Sequence, residues 1–493
     1  MTDAELLDVA MCRLRLPVPM AKLQVIHQVA AALEDDRIGA ATWQALLRWG
    51  RALRLESEVV EALAIVVTAR GAAVLSAAEL RAAIIAPSVL SDIFIGHAFS
   101  TPVLVHSWLK GHSGEVPRFY QRPELRRELA LGQIVPRALM LKMQDLQQEW
   151  RKPFVAQWVF EFDRLLGHSD GSTDGHFSFF FPESDRSEVG QFIARRGQLA
   201  RSAFLRTLAL AGDLWNMPIP EVQAGAMVAS PADLSLLPML PGDVPTWVRH
   251  LHDARPGTSD EVAGLAASVL REVHEAQGKA LLHLNLPLHG DARYQCELEI
   301  VSFFASGENV DAEEVFFLHD FLPGRVCVPR TEDLMLRVDA LDRDATFLAK
   351  TGGRLRPVLL PVVADNAGYL QSDLVRRMPR LPAHDLPNPL VVTPRKGGAA
   401  VLLSGTEVGE LLHWNWKWRP TYPKEMGGHA GVGLVLGSGV AKRILQVDGM
   451  RLGHAWRAKV LTRETDYKDW LEEAWQGFLP SLGPGSAAVP TIS

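Results

Sequence analysis

The stretch Leu282-His283-Leu284-Asn285-Leu286-Pro287-Leu288-His289-Gly290-Asp291-Ala292-Arg293-Tyr294-Gln295-Cys296-Glu297-Leu298-Glu299-Ile300 decides the fold class. Apolar residues stand at every second position on both sides of Gly290-Asp291, the signature of two strands that each bury one face. Parity sizes the turn. A two-residue loop sets His283 against Leu298 and mixes polar with apolar on each face. A three-residue loop, His289-Gly290-Asp291, sets Leu286 against Tyr294, Leu284 against Cys296 and Leu282 against Leu298. One face is then wholly apolar, and the other holds His283 opposite Glu297 and Asn285 opposite Gln295. This predicts an antiparallel hairpin.

Downstream, strands are expected at Val315 to Phe321, Arg325 to Val328, Pro357 to Val363, Leu390 to Thr393, Ala399 to Leu403, Leu411 to Trp418, Val432 to Leu436, Arg443 to Val447 and Trp456 to Leu461. Their short spacing, with Gly and Pro between, favours a mostly antiparallel sheet or partly closed barrel. A helix over Asp365 to Met378 crosses it. A last helix over Asp466 to Phe478, with Trp470, Leu471 and Trp475 as its apolar face, closes the domain before a flexible tail.

Upstream the period changes to three and four. Leu23, Ile26, Val29 and Leu33, then Trp43, Leu46, Leu47, then Val59, Val60, Leu63, Val66, Val67 each mark one buried helix face. Ser76 and Glu79 have the capping-box spacing of a fourth helix. Further helices are expected at Pro136 to Trp150, Pro153 to Leu166, Asp185 to Leu214 and Pro231 to Leu237, followed by the Pro-dense stretch Pro238, Pro241, Pro245, Pro256. Thr258 and Glu261 cap the helix that leads into the hairpin. The fold class is therefore α+β, an α-helical N-terminal half followed by a sheet with flanking helices. The domains read as 1–90 (helical bundle), 91–256 (α-rich middle region), 257–479 (C-terminal α+β domain) and 480–493 (tail).

Composition narrows the function classes. Of 493 residues, 51 are basic and 57 acidic, a formal charge of −6, too acidic for the whole surface to coat a polyanion, although a local patch could hold nucleic acid. Three cysteines, Cys12, Cys296 and Cys327, without a C-x-x-C, imply a reducing compartment and no disulfide framework. The acidic N-terminus and the polar interruptions of the run Ile93 to Leu109 predict neither a signal peptide nor a membrane span. A cytoplasmic location is expected.

The strong fingerprints are missing. No G-x-x-x-x-G-K-[ST], G-x-S-x-G or H-E-x-x-H is present, and the glycines from Gly427 to Gly439 lack the dinucleotide spacing and read as turns. Four residues, His168, Asp170, Asp174 and His176, have metal-ligand chemistry within one short run, but the same residue types build any solvated turn. On the hairpin, His283 facing Glu297, with Glu299 on the same face, could be a base held by acids or an ordinary cross-strand pair. In the run His413-Trp414-Asn415-Trp416-Lys417-Trp418, period two puts Trp414, Trp416 and Trp418 on one face and His413 and Lys417 on the other. The indoles are either core or a stacking platform, with core preferred. Arg195, Arg196, Arg201 and Arg206 form no single stripe and read as solvated.

These features point to a non-catalytic assembly or recognition subunit of a bacterial multi-protein system, with other proteins as partners and no cofactor. Large bacterial proteins without motifs often serve such systems, phage defence among them. A metal-assisted phosphoester hydrolase is the alternative, and a nucleic-acid-binding module the third reading.

Overall fold

A computed structural model describes residues 3–16, 18–101, 108, 114–117, 120, 136–167, 192–232, 234, 237–251, 254–306, 310–321, 355–357, 369–371, 390–395, 397–415, 430–437, 451–465 and 468–479. The chain forms two compact units, one of Met1–Pro238 with Arg325–Met335 and Ala364–Ser372, the other of Met239–Gly324, Leu336–Val363 and Asp373–Ser493. The fold is α+β, helices mostly N-terminal and strands C-terminal, with a sheet that does not close.

The first unit is helical. Its helices are α1 (Asp3–Cys12), α2 (Pro19–Glu34), α3 (Gly39–Ala52), α4 (Glu56–Thr68), α5 (Ala77–Ala83), α6 (Val89–Phe99), α7 (Arg137–Trp150), α8 (Phe154–Gly167), α9 (Arg195–Asp213) and α10 (Ile219–Ala226). Of the three-four stripes read from the sequence, Ile26, Val29 and Leu33 on α2 and Trp43, Leu46 and Leu47 on α3 are buried, whereas Leu23 is half-buried and Val25 joins the buried face. Ser76 caps α5 as its spacing with Glu79 requires, its hydroxyl accepting the Glu79 amide at 3.4 Å. α4 is enclosed almost all round, because α2, α6 and α9 pack against different sides of it. The helix expected at Pro231 to Leu237 is replaced by bends and turns where described; the Ser230 hydroxyl donates to the Ala232 carbonyl at 2.7 Å instead of capping a helix.

The second unit is a sheet with helices α11 (Ser259–Arg271) and α12 (Ala312–Phe321). Its strands are β1 (Lys279–Gly290), β2 (Tyr294–Ala305), β3 (Leu355–Pro357), β4 (Leu390–Arg395), β5 (Gly398–Leu403), β6 (Thr406–Asn415), β7 (Ala430–Gly437), β8 (Arg451–Thr462) and β9 (Leu471–Leu479). The order is β4-β5-β6-β7-β1-β2-β8-β9, with β3 beside β2, and each of these pairs is antiparallel. The β1–β2 hairpin is central, flanked by β7 and β8.

The apolar face of the hairpin is as expected, but its register differs. Leu284 pairs with Ile300 and Leu286 with Leu298, so β2 slides by four residues past the expected partners. An even slide keeps every side chain on its face. Its cause is local. Asp291 Oδ1 accepts the amides of Arg293 and Tyr294, both at 2.7 Å, and the Asp291 amide donates to Tyr294 O, which widens the turn. Between Pro287 and His289 the pairing also shifts register, next to a proline that has no amide to donate.

Leu281, Leu284, Leu286, Leu288, Cys296, Leu298 and Ile300 form the main core with Val262, Ala266, Val269 and Leu270 of α11. Each leucine, isoleucine and valine among them contributes about 1.5–3 kcal/mol through burial. The opposite face carries a smaller core, Val301, Phe303, Ala455, Val315 and Phe316, in which α12 supplies the last two.

Three expectations are corrected. Val315 to Phe321 is helical, because the Asp311 side chain accepts the Glu313 amide at 3.0 Å and its carbonyl takes the Val315 amide at 3.2 Å, opening α12. The closing helix is strand β9: the Trp470, Leu471, Trp475 spacing fits a helix, but pairing with β8 prevails, with Leu479 in the main core. The glycines read as turns include Gly431, Gly433 and Gly437 of β7, an interior strand. A Cβ on Gly431 would lie 2.3 Å from the Trp414 ring, and one on Gly433 3.1 Å from Trp247, so these glycines make room for indoles.

The expected strands at Arg325 to Val328 and Arg443 to Val447, most of the helix over Asp365 to Met378 and the tail 480–493 lie outside the described residues.

Candidate functional site

The sheet gathers two sets of candidate residues on one face. Strand pairing runs a row across it, His413 on β6, Val432 on β7, Asn285 on β1, Glu299 on β2, Arg457 on β8 and Gln476 on β9. Cross-strand partners share a face, so His413 and the hairpin's polar residues point the same way. The slide in register changes the partner of His283. Its Nε2 lies 3.3 Å from Glu299 Oε1, where Glu297 was expected. Arg457 takes the other oxygen of Glu299 at 2.6 Å, and its guanidinium carbon stacks 4.5 Å from the centre of the Phe316 ring. Glu297 pairs in the strand ladder with Pro287 and Lys459.

The arrangement limits the chemistry. His283 is 2 % exposed and Glu299 is largely enclosed, with both of its oxygens occupied by nitrogen groups. A carboxylate held in this way positions two basic groups across three strands, with one nitrogen contact on each of its oxygens. Among the described residues no group of three or more His, Cys, Asp or Glu is placed to hold a metal. His168, Asp170, Asp174 and His176 lie outside the described residues.

Trp414 is fully buried in the main core, its ring 6.5 Å from that of Trp247 in an edge-to-face arrangement. At that position the tryptophan face is internal. Trp416, Lys417 and Trp418 lie outside the described residues. Cys296 is buried beneath the hairpin, and desolvation pushes its thiol pKa up to about 11, which suppresses the thiolate.

A surface groove of about 650 Å³ is lined by Thr246, His250, Ser268, Arg271, Glu272 and Glu275. His250 Nε2 stands 2.7 Å from Ser268 Oγ, but that hydroxyl donates to the Leu265 carbonyl at 2.7 Å. The serine therefore accepts from the imidazole and is not activated by it.

Sequence reasoning missed a second polar cluster, in the helical unit. Glu61 of α4 accepts from Lys22 Nζ at 2.6 Å through one oxygen and from Arg201 at 3.0 Å through the other. Tyr369 donates its hydroxyl to Glu61 and accepts from Arg201, while Lys22 also donates to the Leu14 carbonyl. All four side chains are fully or almost fully buried. Burial lowers the Lys22 pKa despite its partner, whereas the two cations outweigh desolvation at Glu61 and hold its carboxyl below the usual range. Arg206 pairs with Glu56 at 2.7 Å and Arg195 with Glu58 at 2.9 Å, so three of the arginines read as solvated instead rivet α9 to α4. The available signal was Glu61 itself, one acid inside the apolar run Val59 to Val67.

The two units thus define an α+β protein with one polar cluster inside each. No protein-family model and no curated protein matches the chain.

Proposed function

We propose that this protein is a non-catalytic assembly or recognition subunit, working with other proteins in a bacterial multi-protein system in the cytoplasm; phage defence is one setting for it. The observation that supports this reading is the state of the buried acids. Glu299 is taken up by Arg457 and His283, Glu61 by Lys22 and Arg201, and Glu56 by Arg206. Polar groups paired in this way fix helix and strand positions and give the surfaces around them a defined shape. No membrane-crossing helix is found among the described residues.

The test has two arms. Tagged protein isolated from its host should elute as a complex of fixed stoichiometry, while the purified chain with Mn²⁺ or Zn²⁺ should not hydrolyse phosphomonoesters or phosphodiesters. Metal-dependent turnover that disappears in a folded Glu299→Gln variant would establish the hydrolase instead.

A further inference from the structure

The helical unit is built from residues up to Pro238 and two later returns of the chain, Arg325–Met335 and Ala364–Ser372. The second return drives one aromatic side chain into its centre. Tyr369 is fully buried, its ring 5.5 Å from that of Phe192 and 4.4 Å from the Arg201 guanidinium carbon. Leu370 follows at 3 % exposure, and its amide donates to the Pro231 carbonyl at 2.9 Å.

The groups that hold this segment, Glu61, Phe192, Arg201 and Pro231, all come from the earlier part of the chain. The early helices supply a receptor and the late segment supplies its ligand. Recognition is specific at three points. The ring stacks on Phe192 and under a cation, the hydroxyl is read by an acid and a guanidinium at once, and the next residue is apolar. This is how a pocket reads a short peptide, through one aromatic anchor and a main-chain hydrogen bond. Withdrawal of the tyrosine would not strand a charge, because Glu61 keeps its own contacts to Lys22 and Arg201.

We propose that this segment is exchangeable, and that the pocket accepts the same Tyr369-Leu370 segment from a second copy of this chain once its own is withdrawn. Exchange of an identical element is a low-cost route to self-association, since no contact has to be invented. The inference deepens the recognition reading and rests on it for its purpose. Exchange itself is tested on the purified chain, so its failure is separate from a failure to find partners in the host.

The experiment uses full-length Tyr369→Ala protein and a fluorescent peptide of residues Ala364–Ser372 supplied in trans. Saturable binding to the variant is expected, with binding to the wild type at least about tenfold weaker because its pocket is filled. A peptide carrying Tyr369→Phe should bind about tenfold more weakly than the native one, having lost both hydroxyl contacts. A folded variant without saturable binding overturns the proposal, as does equal binding to variant and wild type. Should Tyr369→Ala fail to fold, hydrogen exchange of the wild type decides. Exchange of the Leu370 amide by local opening, faster than that of α4 and α9, supports exchangeability, and exchange only through global unfolding refutes it.

Discussion

The indole of Trp414 lies against the backbone of Gly431, so close that a methyl carbon on that glycine would stand 2.3 Å from Cζ2 of the ring. The two residues face each other across β6 and β7. Gly431→Ala should therefore destabilise the protein by about 3 kcal/mol, since the displaced ring is packed in the main core. Urea unfolding followed by tryptophan fluorescence measures this, and Gly264→Ala, where a Cβ meets nothing within 4 Å, serves as the control.

Glu61→Gln should cost about 3–5 kcal/mol. It leaves Lys22 and Arg201, both buried, without their shared carboxylate. Removing one cation as well, in Glu61→Gln with Lys22→Met, should recover part of that loss. A double-mutant cycle on thermal unfolding reads the coupling, and strictly additive effects would show that Glu61 and Lys22 do not interact.

Acid should weaken the fold before the carboxylates titrate. Desolvation pulls the buried imidazole of His27 from 6.5 to about 4, and that of His454 likewise to about 4. Both pKa values are lower folded than unfolded, so between pH 6.5 and 4 the unfolded chain binds more protons and stability rises with pH. Acidification through this window should remove up to about 3 kcal/mol per histidine, order of magnitude only. His27→Phe should flatten the slope of unfolding free energy against pH in that range. An unchanged slope in both His27→Phe and His454→Phe would refute the assignment.

Glu299→Ala should act on stability. It frees Arg457 from an ion pair at 2.6 Å and leaves the guanidinium over Phe316, for a loss of about 2 kcal/mol. The paired change Glu299→Leu with Arg457→Met should be milder than either single change, because no charge is then left without its partner. Denaturant midpoints of the three variants check the order.

The fold class and both faces of the hairpin were legible in the sequence because side-chain alternation fixes a face whatever the register. Which residues meet across the strands was not, since that depends on the Asp291 turn and the irregular pairing after Pro287, both tertiary details of hydrogen bonding. Val315 to Phe321 and the last strand were misread for a related reason. A short apolar run fits either period, and the Asp311 cap in one case and the β8 partner in the other decided it. Of the candidate site, His283 and Glu299 were read as residues of one face, but Arg457 was not, as nothing in linear spacing brings position 457 beside 299. The cluster around Tyr369 was hidden more deeply, joining residues 308 positions apart.

Strand β9 follows β8 in the chain and pairs with it at the end of the sheet order. Until it emerges from the ribosome, the backbone amides and carbonyls along that side of β8 lack their strand partner, and such an open rim is a template for other nascent chains. Once paired, β9 sets Glu473 opposite Val460 and Glu472 opposite Leu461, both glutamates exposed to water. Pairing with β9 thus covers the edge of β8, and loss of residues 471–479 should send the chain into inclusion bodies.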